Sequence, residues 1–167
     1  MLTRPHFFAV QHRSAAQIMA DECLCFRARR VSRVLTRLYD EALRPLGLQA
    51  TQLTVLNAVA MLSGSEGAPM RALADVLAMD PTTLSRTLRP LAQMRLLRLG
   101  RLPTDRRVRV VHLTPDGERR IEDALPLWTQ AHERIVSTLG PDAAAELRDH
   151  FDATVALTTG ASTRPGA

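Results

Sequence analysis

The stretch Asp80-Pro81-Thr82-Thr83-Leu84-Ser85-Arg86-Thr87-Leu88-Arg89-Pro90-Leu91 decides most of the fold. Asp80 can cap a helix whose first residue, Pro81, has a fixed φ and no N–H to leave unsatisfied. Leu84, Leu88 and Leu91 then recur at i, i+4 and i+7, on one face of that helix. Thr82, Thr83, Ser85, Arg86 and Arg89 fall on the other face, which carries hydroxyls and guanidinium groups. Pro90, inside the expected helix, removes a backbone hydrogen bond, at a cost of about 3 kcal/mol unless the helix bends. The turn after it, Met94-Arg95-Leu96, has no glycine for a left-handed cap.

A short helix over 70–77 is expected just upstream. Just downstream, Leu97-Arg-Leu-Gly-Arg101 and Val108-Arg-Val-Val-His-Leu113 alternate or are β-branched, as the arms of a hairpin do. Its tip, Pro103-Thr104-Asp105-Arg106-Arg107, is basic. Helix, tight turn, helix and basic hairpin together make a helix-turn-helix with an added wing. In such an arrangement the second helix meets base edges in the major groove, with Thr83, Ser85 and Arg86 as its first candidates. An arginine of the wing tip can enter the flanking minor groove. Each surface also has a plainer reading, a solvated helix face and a polar turn.

Leu24, Ala28, Val31, Leu35, Leu38 and Ala42, spaced 4, 3, 4, 3 and 4, predict a first helix over residues 21–46 that needs a long apolar partner. Pro45 and Gly47 end it, and Thr51 is the expected cap of a second helix through Leu53, Leu56, Val59 and Leu62. Residues 63–69 read as a turn. Thr114-Pro115-Asp116 caps a fifth helix to about Leu139, with a kink at Pro126, and Gly140-Pro141-Asp142 begins a sixth that ends near Leu157. Residues 1–20 are expected to be an N-terminal arm and 158–167 a disordered tail. The expected fold is mainly α with a small β-hairpin wing: one domain over 21–157, with a winged-helix part at 48–113 and dimerisation helices at 21–46 and 114–157.

The chain has 167 residues, with 22 Lys+Arg against 17 Asp+Glu for a formal charge of +5, and only 4% aromatic residues. An aliphatic core suits helices, and arginine-borne positive charge tilts toward an anionic partner such as double-stranded DNA. No apolar run near the N-terminus exceeds Phe7-Phe8-Ala9-Val10, too short for a signal peptide or a membrane span, so a cytoplasmic location is expected. His6, His12, His112, His132 and His150 show no ligand spacing, and no nucleophile elbow or phosphate loop occurs. The expectation is a binding protein with no catalytic residues, metal or cofactor. A helical protein-interaction module with a basic face and no specific operator stands as the alternative.

The blocks Asp80–Leu88 and Thr104-Asp-Arg-Arg-Val-Arg-Val-Val-His-Leu-Thr-Pro-Asp-Gly117 resemble the MarR family of bacterial transcription regulators, in order and spacing. The resemblance runs over residues 21–157. It implies a homodimer joined through the first, fifth and sixth helices, bound to a near-palindromic operator, usually as a repressor. It also implies that Asp105 and Arg107 are the family's wing Asp and Arg, with Arg107 as the minor-groove residue.

The family responds to small aromatic ligands or to oxidants, and two cysteines, Cys23 and Cys25, bear on that choice. Both lie where the first helix should begin, among unpaired N–H groups and near Arg27, Arg29 and Arg30. Leu24-Cys25-Phe26 with Tyr39 resembles the branch that senses organic hydroperoxides, although the position of that branch's second tyrosine holds Ala50. Residues two apart on a helix point about 200° apart, so Cys23 and Cys25 should not bond to each other within a helical turn. The plainer reading is a pair of small buried hydrophobes at a dimer contact.

Overall fold

Ser14 opens the described part of the chain, residues 14–159 of the computed structural model, by capping a helix. Its hydroxyl accepts from the Gln17 amide while its own amide donates to the Gln17 side chain, a reciprocal capping box. The resulting α1, Ala15–Glu22, occupies sequence expected to be an arm. The expected tail falls partly outside the described residues, as do His6, His12 and the Phe7–Val10 run.

The chain divides into two units, Met1–Leu35 and Thr36–Ala167. In the first, the single helix expected from Asp21 is interrupted at Cys23, whose φ of −73° and ψ of 109° are extended. The interruption is stable because Cys23 serves both helices. Its amide donates to the Met19 carbonyl, its carbonyl accepts from Arg27, and its sulfur lies 3.4 Å from the Phe26 amide. Beyond it runs α2, Leu24–Leu43. Leu24, Phe26 and Val31 of this unit are exposed.

The second unit begins within α2, followed by a 3₁₀ turn at Arg44–Leu46 and Gly47 in the left-handed region. Helix α3, Ala50–Leu62, is capped at Gln49, so the expected cap Thr51 lies inside its first turn. The reason is tertiary: the Asp40 carboxylate accepts from the Ala50 amide at 2.6 Å, and the Gln52 side chain accepts from Gln49 at 2.9 Å. Next come β1 (Ala68–Pro69), α4 (Met70–Val76), α5 (Pro81–Gln93), β2 (Leu97–Arg101), β3 (Arg109–Leu113), α6 (Pro115–Leu139) and α7 (Pro141–Thr159). The last helix carries past Leu157, so the expected tail loses Thr158 and Thr159 to it. No described helix is long and apolar enough to cross a membrane.

The hairpin falls as expected, within one residue. Its sheet has a third strand, order β1-β3-β2, in which Ala68 pairs with Val111 and Pro69 with Val110. Two residues ending in proline give no strand signal, and only β3 makes them one. The core of this unit is aliphatic: Leu43, Val55, Leu56, Val59, Leu73, Leu84, Leu88, Leu91 and Val111 are fully buried, and no buried polar residue occurs among those described. Each such side chain contributes roughly 1.5–3 kcal/mol by leaving water.

Proline does not break the two helices that contain it. Helix α5 continues through Pro90 to Gln93 and α6 through Pro126 to Leu139. Both prolines are exposed, so water can take the carbonyl that each leaves without a donor.

Both helices of the helix-turn-helix end the same way. After α4, Ala78 (φ 49°) donates to Asp75 and Met79 to Ala74; after α5, Arg95 (φ 60°) donates to Ala92 and Leu96 to Leu91. These are Schellman closures with alanine and arginine at the position that glycine usually takes. Replacing either residue, Ala78→Gly or Arg95→Gly, is therefore expected to raise unfolding free energy by about 0.5–1 kcal/mol in urea titration. A loss of stability in both would contradict this account of the turns.

Candidate nucleic-acid interface

Helix α5 owes its outward face to its buried one. With Leu84, Leu88 and Leu91 inside, Thr82, Thr83, Arg86 and Arg89 are exposed and Ser85 is half-buried. The helix start is strongly organised. One Asp80 carboxylate oxygen accepts from the Thr82 and Thr83 amides at 2.9 Å, and the other accepts from the Thr83 hydroxyl at 2.5 Å. Thr83 therefore has its proton committed and faces outward chiefly as an acceptor. The Thr83 hydroxyl and amide hold the Asp80 carboxyl below the usual carboxylate range.

A cleft of about 340 Å³ runs along this face, lined by Thr83, Arg86 and Thr87 of α5 and by Thr51 and Gln52 of α3. The two α3 residues carry no periodic signal toward α5, and only packing brings them there.

The wing is tied back to α5 by Thr114. Its hydroxyl donates to the Arg95 carbonyl at 2.7 Å and accepts from the Gly117 amide at 3.0 Å, while its amide donates to Leu96. Gly117 admits no side chain, since a Cβ would lie 2.2 Å from the Leu96 carbonyl oxygen. The cap is legible in the sequence, and this close approach is not. On the other side of the sheet, Gly67 (φ 89°) lies against the His112 ring, where a Cβ would come within 2.7 Å. Burial and the nearby Arg98 charge push the His112 imidazole below its usual range, favouring its neutral form.

At the tip, Asp105 accepts from the Arg107 amide through its side chain (2.9 Å) and from the Val108 amide through its carbonyl. Asp105 thus shapes the turn, and Arg106 and Arg107 are left exposed. The structure places the α5 residues on one helix face and Asp105, Arg106 and Arg107 in one hairpin turn, as expected.

The sensing candidates separate. Cys23 and Cys25 belong to the first unit, where both are free thiols, one half-buried and the other exposed. Neither is buried in the chain, and the premise that both sit in one helical turn fails because Cys23 is extended. Tyr39 belongs to the second unit. Its hydroxyl lies 3.1 Å from His132 Nδ1, and its ring stacks 6.3 Å from Trp128, which stacks 4.6 Å from His132. Desolvation raises the tyrosine hydroxyl above its usual range. Among the described residues no cluster of three or more His, Cys, Asp or Glu side chains is arranged to hold a metal ion.

A helix-turn-helix with a cationic, hydroxyl-bearing second helix and a three-stranded wing defines the winged-helix class. Residues 46–108 match the model of the MarR family. The chain also resembles the transcriptional regulator MosR of M. tuberculosis, solved in complex with DNA. The two are 30% identical over 81% of this chain and 98% of that one, with a TM-score of 0.69. This chain belongs to the MarR family of DNA-binding transcription regulators. The same fold occurs in a mutant E. coli MarR with operator DNA (24% identity, 82% and 97% covered, TM-score 0.72). It occurs again in CouR of Rhodococcus jostii bound to p-coumaroyl-CoA (24%, 81% and 93%, 0.68). Comparison with curated proteins gives no significant match.

The Asp80 cap generates an acid-sensitive helix start. A carboxyl held below its ordinary value of 3.8 stabilises the fold fully above that value and loses the contribution as pH falls through the lower, folded one. Thermal unfolding of the wild type is expected to weaken more steeply below about pH 4 than that of Asp80→Asn. Parallel profiles would remove Asp80 as the source.

Proposed function

We propose that the chain is a promoter-occupying repressor that binds a near-palindromic operator as a homodimer. The observation carrying this reading is the joint presentation of two cationic surfaces by one folded unit, the α5 face from Thr82 to Arg89 and the wing tip from Asp105 to Arg107. Thr82, Thr83, Ser85, Arg86 and Arg89 take the major groove, and Arg107 takes the flanking minor groove, with Asp105 and Arg106 beside it in the wing tip. Exposed apolar side chains support the second copy: Leu125 and Trp128 on α6, Phe151 and Leu157 on α7, and Leu24 and Val31 on α2. Two-fold symmetry then sets half-sites about one helical turn apart. DNA occupancy, not catalysis, is the proposed mode of action.

Release by cysteine oxidation is favoured by the break at Cys23, which lifts the helical bar to pairing with Cys25. An organic hydroperoxide would lose its O–O bond, one oxygen leaving as alcohol and the other forming a sulfenic acid on Cys25. Attack by the Cys23 thiol then forms S–S and releases water. A disulfide there would compete with the cap that Cys23 provides for α2. A small aromatic ligand is the second reading, supported by the half-exposed Tyr39–Trp128–His132 stack.

Arg107→Ala is expected to weaken operator binding without lowering Tm, whereas Arg86→Ala also relaxes base preference by about 1–3 kcal/mol. Random-site selection that returns no preferred palindrome would leave the basic interaction module as the better account. Hydroperoxide should release the wild type from its operator with loss of two hydrogens in intact mass, and should leave Cys25→Ser bound. Equal release of both sinks the oxidation step.

A further inference from the structure

The register of the wing sets two like charges face to face. Arg101 of β2 is the direct cross-strand partner of Arg109 of β3, so both side chains emerge on the same face. Like charges in that position destabilise a hairpin. Arg106 adds a third cation, and the three line a recess of about 620 Å³ together with Leu99 and Pro103. Among the described residues no carboxylate lines the recess. Asp105, the acidic residue of the tip, directs its side chain to the Arg107 amide instead.

Arg101 is also held in place. Its Nη1 donates to the Arg106 carbonyl at 2.6 Å, tying its guanidinium to the turn. A guanidinium has five N–H donors, and this bond uses one of them. A recess lined by three arginines and no carboxylate is arranged for an anion with several acceptor oxygens. Phosphate geometry matches the arginine fork.

We propose that the concave side of the wing is a second DNA contact, in which Arg101, Arg106 and Arg109 grip a backbone phosphate apart from the groove insertion of Arg107. The proposal rests on the DNA-binding reading above and assigns Arg101 and Arg109 to it. The grip is independent of sequence: it neutralises the repelling pair and fixes the wing against the backbone. In the free protein the pair costs stability, and on DNA the phosphate offsets that cost. Loss of one arginine should therefore move folding and binding in opposite directions, which a merely structural arginine would not do.

The test uses the full-length protein, its selected operator and a scrambled duplex of equal length, with affinities measured across a salt series. Arg109→Gln is expected to weaken binding to both duplexes by a similar factor and to reduce the log–log salt slope by about 0.9 for each phosphate no longer neutralised. Its Tm should be equal to or above that of the wild type. Arg109→Lys should restore the slope. A wild-type slope in Arg109→Gln overturns the proposal, as does weakening confined to the operator, which would indicate base readout. Retention of the DNA slope with loss of binding to polyglutamate would reassign the recess to an acidic protein. Failure of the wild type to prefer its operator would instead strike the repressor reading, because a phosphate grip alone predicts binding to both duplexes.

Discussion

Burial of Leu84, Leu88 and Leu91 is the constraint on which the functional part of the molecule depends. A helix advances about 100° per residue, so placing these three side chains in the core fixes the rotation of α5 completely. Thr82, Thr83, Arg86 and Arg89 then have nowhere to point but outward. The leucines meet Leu56, Val59 and Leu73 in an aliphatic core, which provides no alternative partner for a hydroxyl or guanidinium turned inward. The buried core contact and the exposed hydroxyl- and guanidinium-bearing surface are thus two faces of one helix.

Orientation alone would not relate that helix to the wing. The Schellman turn at Arg95 delivers the chain directly into β2, and Thr114, at the far end of β3, returns to hydrogen-bond the same turn. Gly117 allows α6 to begin against the Leu96 carbonyl. The end of α5 and both ends of the hairpin therefore meet within a few residues. This closeness holds the outward face of α5 and the basic wing at a set spacing within one unit. Arg98, Arg101, Arg106, Arg107 and Arg109 crowd a single hairpin, a concentration of charge that suits a polyanion better than it suits the hairpin itself.

The cysteine segment follows a different logic. Cys23 is the residue at which two helices meet, using its amide, carbonyl and sulfur to satisfy groups of both. A junction held by a few local bonds is easier to remodel than a packed core. In the second unit, Tyr39, Trp128 and His132 join α2 to α6 by stacking and one hydrogen bond, forming the only described cluster of stacked rings in an aromatic-poor chain.

Much of this is legible in the order of residues, because local signals agree with the fold. The Asp80-Pro81 start, the leucine spacing of α5, the alternating hairpin arms and the Thr114 cap are all properties of short segments, and short segments announce them. What required the tertiary structure depended on partners distant in the chain. Ala68 and Pro69 are a strand only because Val110 and Val111 offer an edge. Ala50 begins α3 because Asp40, ten residues earlier, caps it. Cys23 leaves the helical conformation although the first helix is expected from Asp21: the apolar stripe begins only at Leu24, and periodicity records which face is apolar and not whether each hydrogen bond is made. The Arg101–Arg109 pair was present in the sequence as two residues of alternating arms, but the register that sets them opposite each other is decided by the length of the turn between them. Sequence by itself determined the elements and their outward chemistry; the tertiary structure decided caps, close approaches and charge juxtapositions, because those are set by distances between segments rather than by order within one.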